Sequence, residues 1–278
     1  QRVALTARSA SGATLTRFEG ELSTAGTMPA LNGELNMTLP FKAAASNKQV
    51  ELKSTLTADP RGAALSGLTV AFESAGRPQI LSGGAQLSMG EDIELSGALS
   101  AAWLDLDRIL DLGSANPEPP TKTLSRLANL LPEWFLDSPL LRALRFEVRQ
   151  MALGGDAISD LVLLSRGRGN ESMIEDLSAS LPGGGRLVAS GRLSVDRAND
   201  DGRPTSYRFA GPMTIEASST QRLLNWATAG RATLDPASDG ALATSATLNV
   251  SAATFALDDI SANFGETVVR GTASYDWG

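Results

Sequence analysis

The sequence predicts a mainly β protein, an elongated, curved and repeat-built antiparallel or mixed sheet with an apolar inner face and a few short helices. Three observations predict it: apolar residues recur at every second position, turn residues separate the recurrences, and a glycine-containing strand unit reappears along the chain. Taken in order, the alternating sets are Leu31, Gly33, Leu35, Met37, Leu39; then Val50, Leu52, Ser54, Leu56; then Leu68, Val70, Phe72; then Ile93, Leu95, Gly97, Leu99. Two more follow, Leu187, Ala189, Gly191, Leu193, Val195 and Tyr207, Phe209, Gly211, Met213, Ile215, Ala217. Side chains between them are Ser, Thr, Asn, Glu, Lys and Arg, so each strand is apolar on one side only, as antiparallel and mixed sheets with one solvated side require. Turns are expected at Asp59-Pro60-Arg61-Gly62, Gly83-Gly84, Pro182-Gly183-Gly184-Gly185, Asn199-Asp200-Asp201-Gly202, Asp235-Pro236 and Asp239-Gly240.

Helical signals are few. Asp105 or Asp107 can cap a short helix through Arg108-Ile109-Leu110-Asp111-Leu112, with Gly113 as its stop. After Asn116-Pro117-Glu118-Pro119-Pro120, residues 121–131 put Leu124, Leu127, Ala128 and Leu131 on one helical face before Pro132, and a further turn starts at Ser138-Pro139. Ser218 or Ser219 caps a helix from Gln221 to Ala229 ahead of Gly230. An offset of 114 residues superposes Arg108-Ile109-Leu110-Asp111 on Arg222-Leu223-Leu224-Asn225 and Gly97 on Gly211. The unit Gly-x-Leu-Ser/Asn stands at Gly20, Gly33, Gly97 and Gly191. Stacked strand modules, none able to bury its apolar side alone, account for this recurrence. The chain divides into a β unit over 1–113, a Pro-rich linker with helices over 114–143, and a second β unit over 144–278.

Composition narrows the chemistry. Among 278 residues there is no His and no Cys, which excludes Ser-His-Asp and Cys-His nucleophile pairs, imidazole or thiolate metal sites, and disulfides. The net charge is −7, and the 24 basic residues are 20 Arg and 4 Lys with no basic run, so nucleic acid is not an expected partner. No apolar run approaches the roughly 20 residues of a membrane-spanning helix, Leu161-Val162-Leu163-Leu164 being the longest in mid-chain. The opening Gln1-Arg2-Val3-Ala4-Leu5 is already strand-like, and the chain reads as a segment of something longer, with any anchor outside it.

The stretch Leu144-Arg145-Phe146-Glu147-Val148, Met151-Ala152-Leu153-Gly154-Gly155, Ile158-Ser159-Asp160-Leu161, Ile174-Glu175-Asp176-Leu177 and Leu181-Pro182-Gly183-Gly184-Gly185 resembles the C-terminal region of AsmA-like proteins of the Gram-negative envelope. The pattern continues through Phe209-Ala210-Gly211 to Trp226 and from Phe255-Ala256-Leu257-Asp258-Asp259-Ile260 to Tyr275, and it covers 18–113 more loosely. The resemblance implies a periplasmic, inner-membrane-anchored protein whose long curved sheet holds lipid acyl chains along its apolar inner face, in phospholipid transfer or outer-membrane homeostasis. It implies a phospholipid or other acyl-chain lipid as partner, with the membrane reached through an anchor outside this segment. It carries no catalytic residue, no cofactor and no metal.

Methylene burial at about 0.8 kcal/mol each supplies lipid affinity without specific chemistry. The lining candidates are Leu68, Val70, Phe72, Ile93, Leu95, Leu99, Leu187, Leu193, Val195, Phe209, Met213 and Ile215. The same face can instead be an ordinary core closed by a second sheet or by the helix at 121–131, which would also cover an edge. A structural or adhesive β-repeat scaffold that binds protein partners through a sheet edge is the alternative function.

Other motifs are weaker. Asp196, Asn199, Asp200, Asp201 and Gly202 depart from EF-hand spacing and read as a turn; Gly167-Arg168-Gly169 lacks the Lys-Ser/Thr of a phosphate loop. Asp258-Asp259 and Glu91-Asp92 are adjacent, so on a strand they point to opposite sides and make no catalytic pair. Of Trp103, Trp134, Trp226 and Trp277, Trp103 and Trp226 are expected to anchor the two short helices to the sheet.

Overall fold

The computed structural model describes residues 1–8, 14–24, 28–42, 47–72, 78–110, 118–128, 141–168, 171–196, 206–232, 235, 239–251, 254–264 and 267–276. The first strands are β1 (Arg2–Arg8), β2 (Thr14–Ser23), β3 (Ala30–Lys42), β4 (Asn47–Asp59), β5 (Gly62–Phe72), β6 (Gln79–Met89), β7 (Ile93–Ala101) and β8 (Leu104–Asp105). Two helices, α1 (Leu106–Ile109) and α2 (Pro120–Ala128), precede β9 (Leu141–Leu153), β10 (Asp156–Arg168), β11 (Glu171–Leu181), β12 (Gly185–Asp196) and β13 (Ser206–Ala217). The chain then forms α3 (Thr220–Ala227), β14 (Leu242–Ser251), β15 (Thr254–Phe264) and β16 (Thr267–Asp276).

All strands belong to one open mixed sheet. Its order follows the sequence from β1 to β16, with β8 off the path and paired to β9. Every pairing along the path is antiparallel except β7 with β9, which is parallel, and this seam runs across the 114–143 linker expected to separate two units. A parallel pair needs a crossover, and residues 102–140, with β8, α1 and α2, supply it. The chain exposes 16374 Å², whereas a compact monomer of its 29.0 kDa would expose about 11,400 Å². That excess belongs to an open sheet and not to a closed two-layer sandwich.

The turns follow local chemistry. Leu153 pairs with Asp156 around Gly154 and Gly155 at φ 65° and 82°, the two left-handed positions of a type I′ hairpin. Between β4 and β5, Asp59 pairs with Gly62, and its carboxylate accepts the Arg61 N–H at 2.7 Å. Gly83-Gly84, expected as a turn, instead lies inside β6, because a Cβ on Gly83 would run into the Ala98 carbonyl of β7. Two glycines here mark a close backbone approach and not a chain reversal.

Besides a register shift between β1 and β2 at Ala7, bulges of one pattern interrupt the alternation among the described residues, at Leu65-Ser66-Gly67-Leu68, Ile158-Ser159-Asp160-Leu161, Ile174-Glu175-Asp176-Leu177 and Leu257-Asp258-Asp259-Ile260. In each, two apolar residues three apart flank a polar residue and a Gly or Asp, and Gly67, Asp160 and Asp259 are left-handed at φ 60°, 53° and 54°. The extra residue returns the second apolar side chain to the side of the first.

The ladders fix which residues share a face. Met37 pairs with Leu52, Leu52 with Val70, Val70 with Leu81; further on, Leu99 pairs with Phe146, Phe146 with Leu163, Leu163 with Leu177. Leu177 then pairs with Ala189, Ala189 with Met213 and Met213 with Ala246. Of the charged strand residues described between β2 and β16, the registers place Lys48, Arg142 and Asp156 on this face, while Glu19, Glu34, Lys53, Arg145, Glu147, Arg166, Arg192, Arg208, Glu216 and Arg270 alternate to the other.

Candidate functional site

Eleven of the twelve lining candidates stand on the one face traced above, and Val195 occupies the ladder position opposite Tyr207, two beyond Leu193. They do not share one environment. Val70, Phe72, Leu187 and Ile215 pack against a buried cluster that includes Leu81, Leu104, Leu106, Ile109, Val148, Met151, Ile158, Leu181 and Leu223. Leu68 is buried, and Met213 joins Ala189 and Ala246 in a second, smaller cluster. Ile93, Leu95, Leu99, Leu193 and Phe209 belong to neither cluster; Ile93 is 47% exposed and the other four are partly exposed. Near the β9–β10 turn the face is a buried core, closed by α1 and α3 and not by a second sheet or by 121–131; toward Ile93 and Phe209 neither helix packs on it among the described residues.

The cover is built by α1 and α3, and the expected caps position both. Asp105 accepts the Arg108 N–H at 2.9 Å and Ser219 accepts the Arg222 N–H at 3.2 Å, positions that correspond at the 114-residue offset. Helix α3 is shorter than expected, running Thr220–Ala227 and not to Ala229, which sits at φ 52° ahead of Gly230. Asp239 braces the same end, taking the Gln221 N–H at 3.0 Å and the Ser219 hydroxyl at 2.8 Å, and the Gln221 bond above all holds its carboxyl below the usual range. The Pro182–Gly184 turn docks there too, Gly183 O accepting the Ser218 and Ser219 N–H groups at 3.0 Å each.

Trp226 fulfils its anchoring role, its indole N–H donating to Leu153 O at 2.8 Å while its ring packs on the buried cluster. Asp107, weighed as a cap, instead grips the β9–β10 hairpin, its two oxygens accepting the Gly154 and Gly155 N–H groups at 3.0 and 2.9 Å. Helix α2 touches α3, and Pro120 lies against Gly154, so it sits at the hairpin end and covers neither β1 nor β16.

Sequence reasoning missed three polar side chains. Gln79, 1% exposed, accepts the Asp105 N–H; Lys48 donates to the Arg108 and Ile109 carbonyls at 2.6 and 3.2 Å, closing the C-terminal end of α1. Arg142 is 5% exposed between Leu95 and Gly167, and desolvation lowers its pKa from the usual arginine range. No composition signal separates these from surface residues; only register does.

On the opposite face a hollow of about 600 Å³ crosses β5 to β11, lined by Ala64, Gly84, Ala98 and Ala143 with Arg145, Arg166 and Glu175. Its charges are paired, Arg166 with Glu175 at 3.5 Å and Arg145 with Glu147, and none of the twelve candidates lines it. Asn199 to Gly202, Gly169, Trp134, Trp277, residues 129–131 and Ser138-Pro139 lie outside the described residues. Among those described, no group of three acidic residues is placed to hold a metal, and no helix is long and apolar enough to cross a membrane. The chain matches no family model, no curated protein and no solved structure.

Proposed function

We propose that this chain is a non-enzymatic lipid-binding segment of an AsmA-like, inner-membrane-anchored envelope protein that works in phospholipid transfer or outer-membrane homeostasis. The observation that carries the reading is the near absence of charge, among the described residues, from one face of the fifteen strands along the sheet, on which Ile93, Leu95, Leu99, Leu193 and Phe209 lie outside both buried clusters. An acyl chain asks for that and little else, since it gains affinity from each buried methylene and offers no polar group to recognise. Ile93, Leu95, Leu99, Leu193 and Phe209 are the uncovered candidates and form the acyl contact; Val70, Phe72, Leu187 and Ile215 hold the covering helices in place. Running from β1 to β16 without a break, the face offers a track and not a pocket, the form in which a lipid slides without being released to water.

Native mass spectrometry with lipid extraction tests the proposal. The wild-type chain from a bacterial host is expected to carry phospholipid, and Leu193→Asp or Phe209→Asp to lose it while keeping a β-rich circular dichroism spectrum. Full retention of lipid in both variants removes the acyl track.

A further inference from the structure

Strand β10 departs from the one-sided rule. Its run Leu161-Val162-Leu163-Leu164 puts Val162 and Leu164, both partly exposed, on the polar face. They stand beside the parallel β7–β9 seam, a kind of pairing that is normally covered on both sides. Helix α1 packs on the apolar side of that seam, and no described element packs on the other. Two hollows lie there instead, the one of about 600 Å³ that contains Leu164 and a second of about 530 Å³ that contains Val162, Glu147 and Ser100.

The polar face has a step at the seam. One row across β10, β9, β7 and β6 reads Leu164, Arg145, Ala98, Gly84, and the next reads Val162, Glu147, Ser100, Ser82. The larger side chains stand on the β9–β10 side and the smaller on the β6–β7 side, and such a step is self-complementary. A two-fold axis parallel to the strands above the seam sets β10 over β6 and β9 over β7, so the high side of each copy meets the low side of the other. An axis across the strands would set β9 on β9 and β10 on β10, bulk against bulk. Charge agrees with the first arrangement. Arg145 meets Ala98, Glu147 meets Ser100 and Arg166 meets Gln86, so no like charges oppose in these rows. Farther out, Arg186 of β12, in no ion pair among the described residues, comes over Glu51 of β4, which lies in the same row.

We infer that the polar face around the β7–β9 seam is a homodimer interface, on which a second copy of this chain packs its own polar face about a two-fold axis parallel to the strands. Leu164 and Arg145 of each copy fill the hollow over Gly84 and Ala98 of the other, and Val162 stands over Ser82. From β4 to β12, over about eight residues of each strand, the patch covers about 900 Å² on each copy, and a stable interface takes about 800 Å² from each partner. The apolar faces point outward on the two sides of the pair. This inference therefore stands apart from lipid binding, and its tests read association alone.

Because the chain has no Cys, introduced thiols report the arrangement cleanly. A mixture of Ser82→Cys and Val162→Cys chains is expected to be joined by a short bis-maleimide into a dimer that holds one of each. Either variant alone is expected to stay unlinked, since like positions of the two copies lie about 14 Å apart sideways besides the roughly 10 Å between packed sheets. In equilibrium sedimentation the wild type is expected to dimerise. Gln86 is exposed and faces Arg166 of the other copy, so Gln86→Arg is expected to weaken the dimer by about tenfold and Gln86→Glu to tighten it. A merely structural role for Gln86 would not give shifts of opposite sign. A wild type that remains monomeric at about 100 μM, crosslinking of either single variant as efficient as that of the mixture, or dissociation constants that do not move apart in the two Gln86 variants would each overturn the assignment.

Discussion

At one end of the sheet Val148, Met151 and Leu181 lie under α1 and α3 and are almost fully buried; at the other, Leu95, Leu193 and Phe209 occupy the same face outside either buried cluster. The strands are alike at both ends, apolar at alternate positions and paired in the same register from end to end in β7–β9 and β12–β13. What differs is the connections. Those described at the capped end contain α1, α2 and α3, while at the opposite end the described Pro60-Arg61 link is a bare two-residue turn. Alternation alone therefore does not decide whether a face is a core. The elements between strands decide it, by supplying or withholding a cover.

The contrast can be broken most strongly at its buried end. Val148 is 1% exposed, and Val148→Asp would leave a carboxylate without water beneath the helices. It is expected to cost about 4 kcal/mol or more in denaturant unfolding, whereas Leu193→Asp at the uncovered end costs about 1 kcal/mol. Equal costs would mean that the two ends are covered alike. Next in size is Gly211→Val, where a Cβ would fall 2.6 Å from Gly191 Cα across the β12–β13 ladder. A loss of about 2–3 kcal/mol is expected, with amide exchange faster in β12 and β13 and unchanged at the hairpin end.

Asp107→Ala removes two charge-assisted bonds to the β9–β10 hairpin and is expected to cost about 1–2 kcal/mol. Its signature is faster exchange at Gly154 and Gly155 while the Leu193 and Phe209 amides keep their protection. The smallest effect is on acidity. The Asp239 carboxyl titrates below its ordinary value when folded, so its support of α3 is complete above that ordinary value and is lost as pH falls through the lowered one. Protection of the Gln221 amide should decline over that acidic range in the wild type and be flat in Asp239→Asn.

Much of the fold was legible in the sequence because strand periodicity and cap chemistry are local. The sets at Leu31, Val50, Leu68, Ile93, Leu187 and Phe209 all lie in strands, and the caps Asp105 and Ser219 both bond as their side chains dictate. Less legible was whatever depends on a neighbour. Gly83-Gly84 reads as a turn until the Ala98 carbonyl is seen beside it. The bulges hid Leu65 with Leu68 and Leu257 with Ile260, since a spacing of three breaks a period of two although both residues end on one face. The parallel seam had no signature at all, because both strands that form it alternate as antiparallel ones do. Of the site, which residues share a face could be read; which of them the helices cover could not.

The strand order has a consequence for how the chain is made. Almost every strand pairs with the one synthesised just before it, so the loops to be closed are short and each closure costs little entropy. A chain emerging N-terminus first can zip up one hairpin at a time, each finished strand serving as template for the next. The longest pause is at β7, whose edge must wait for the 39 residues of 102–140 to pass before Leu141–Leu153 arrives alongside it, and a shorter one is at β13, which waits for 218–241. A β protein built this way folds at the pace of its appearance, with one unsatisfied edge at its growing front.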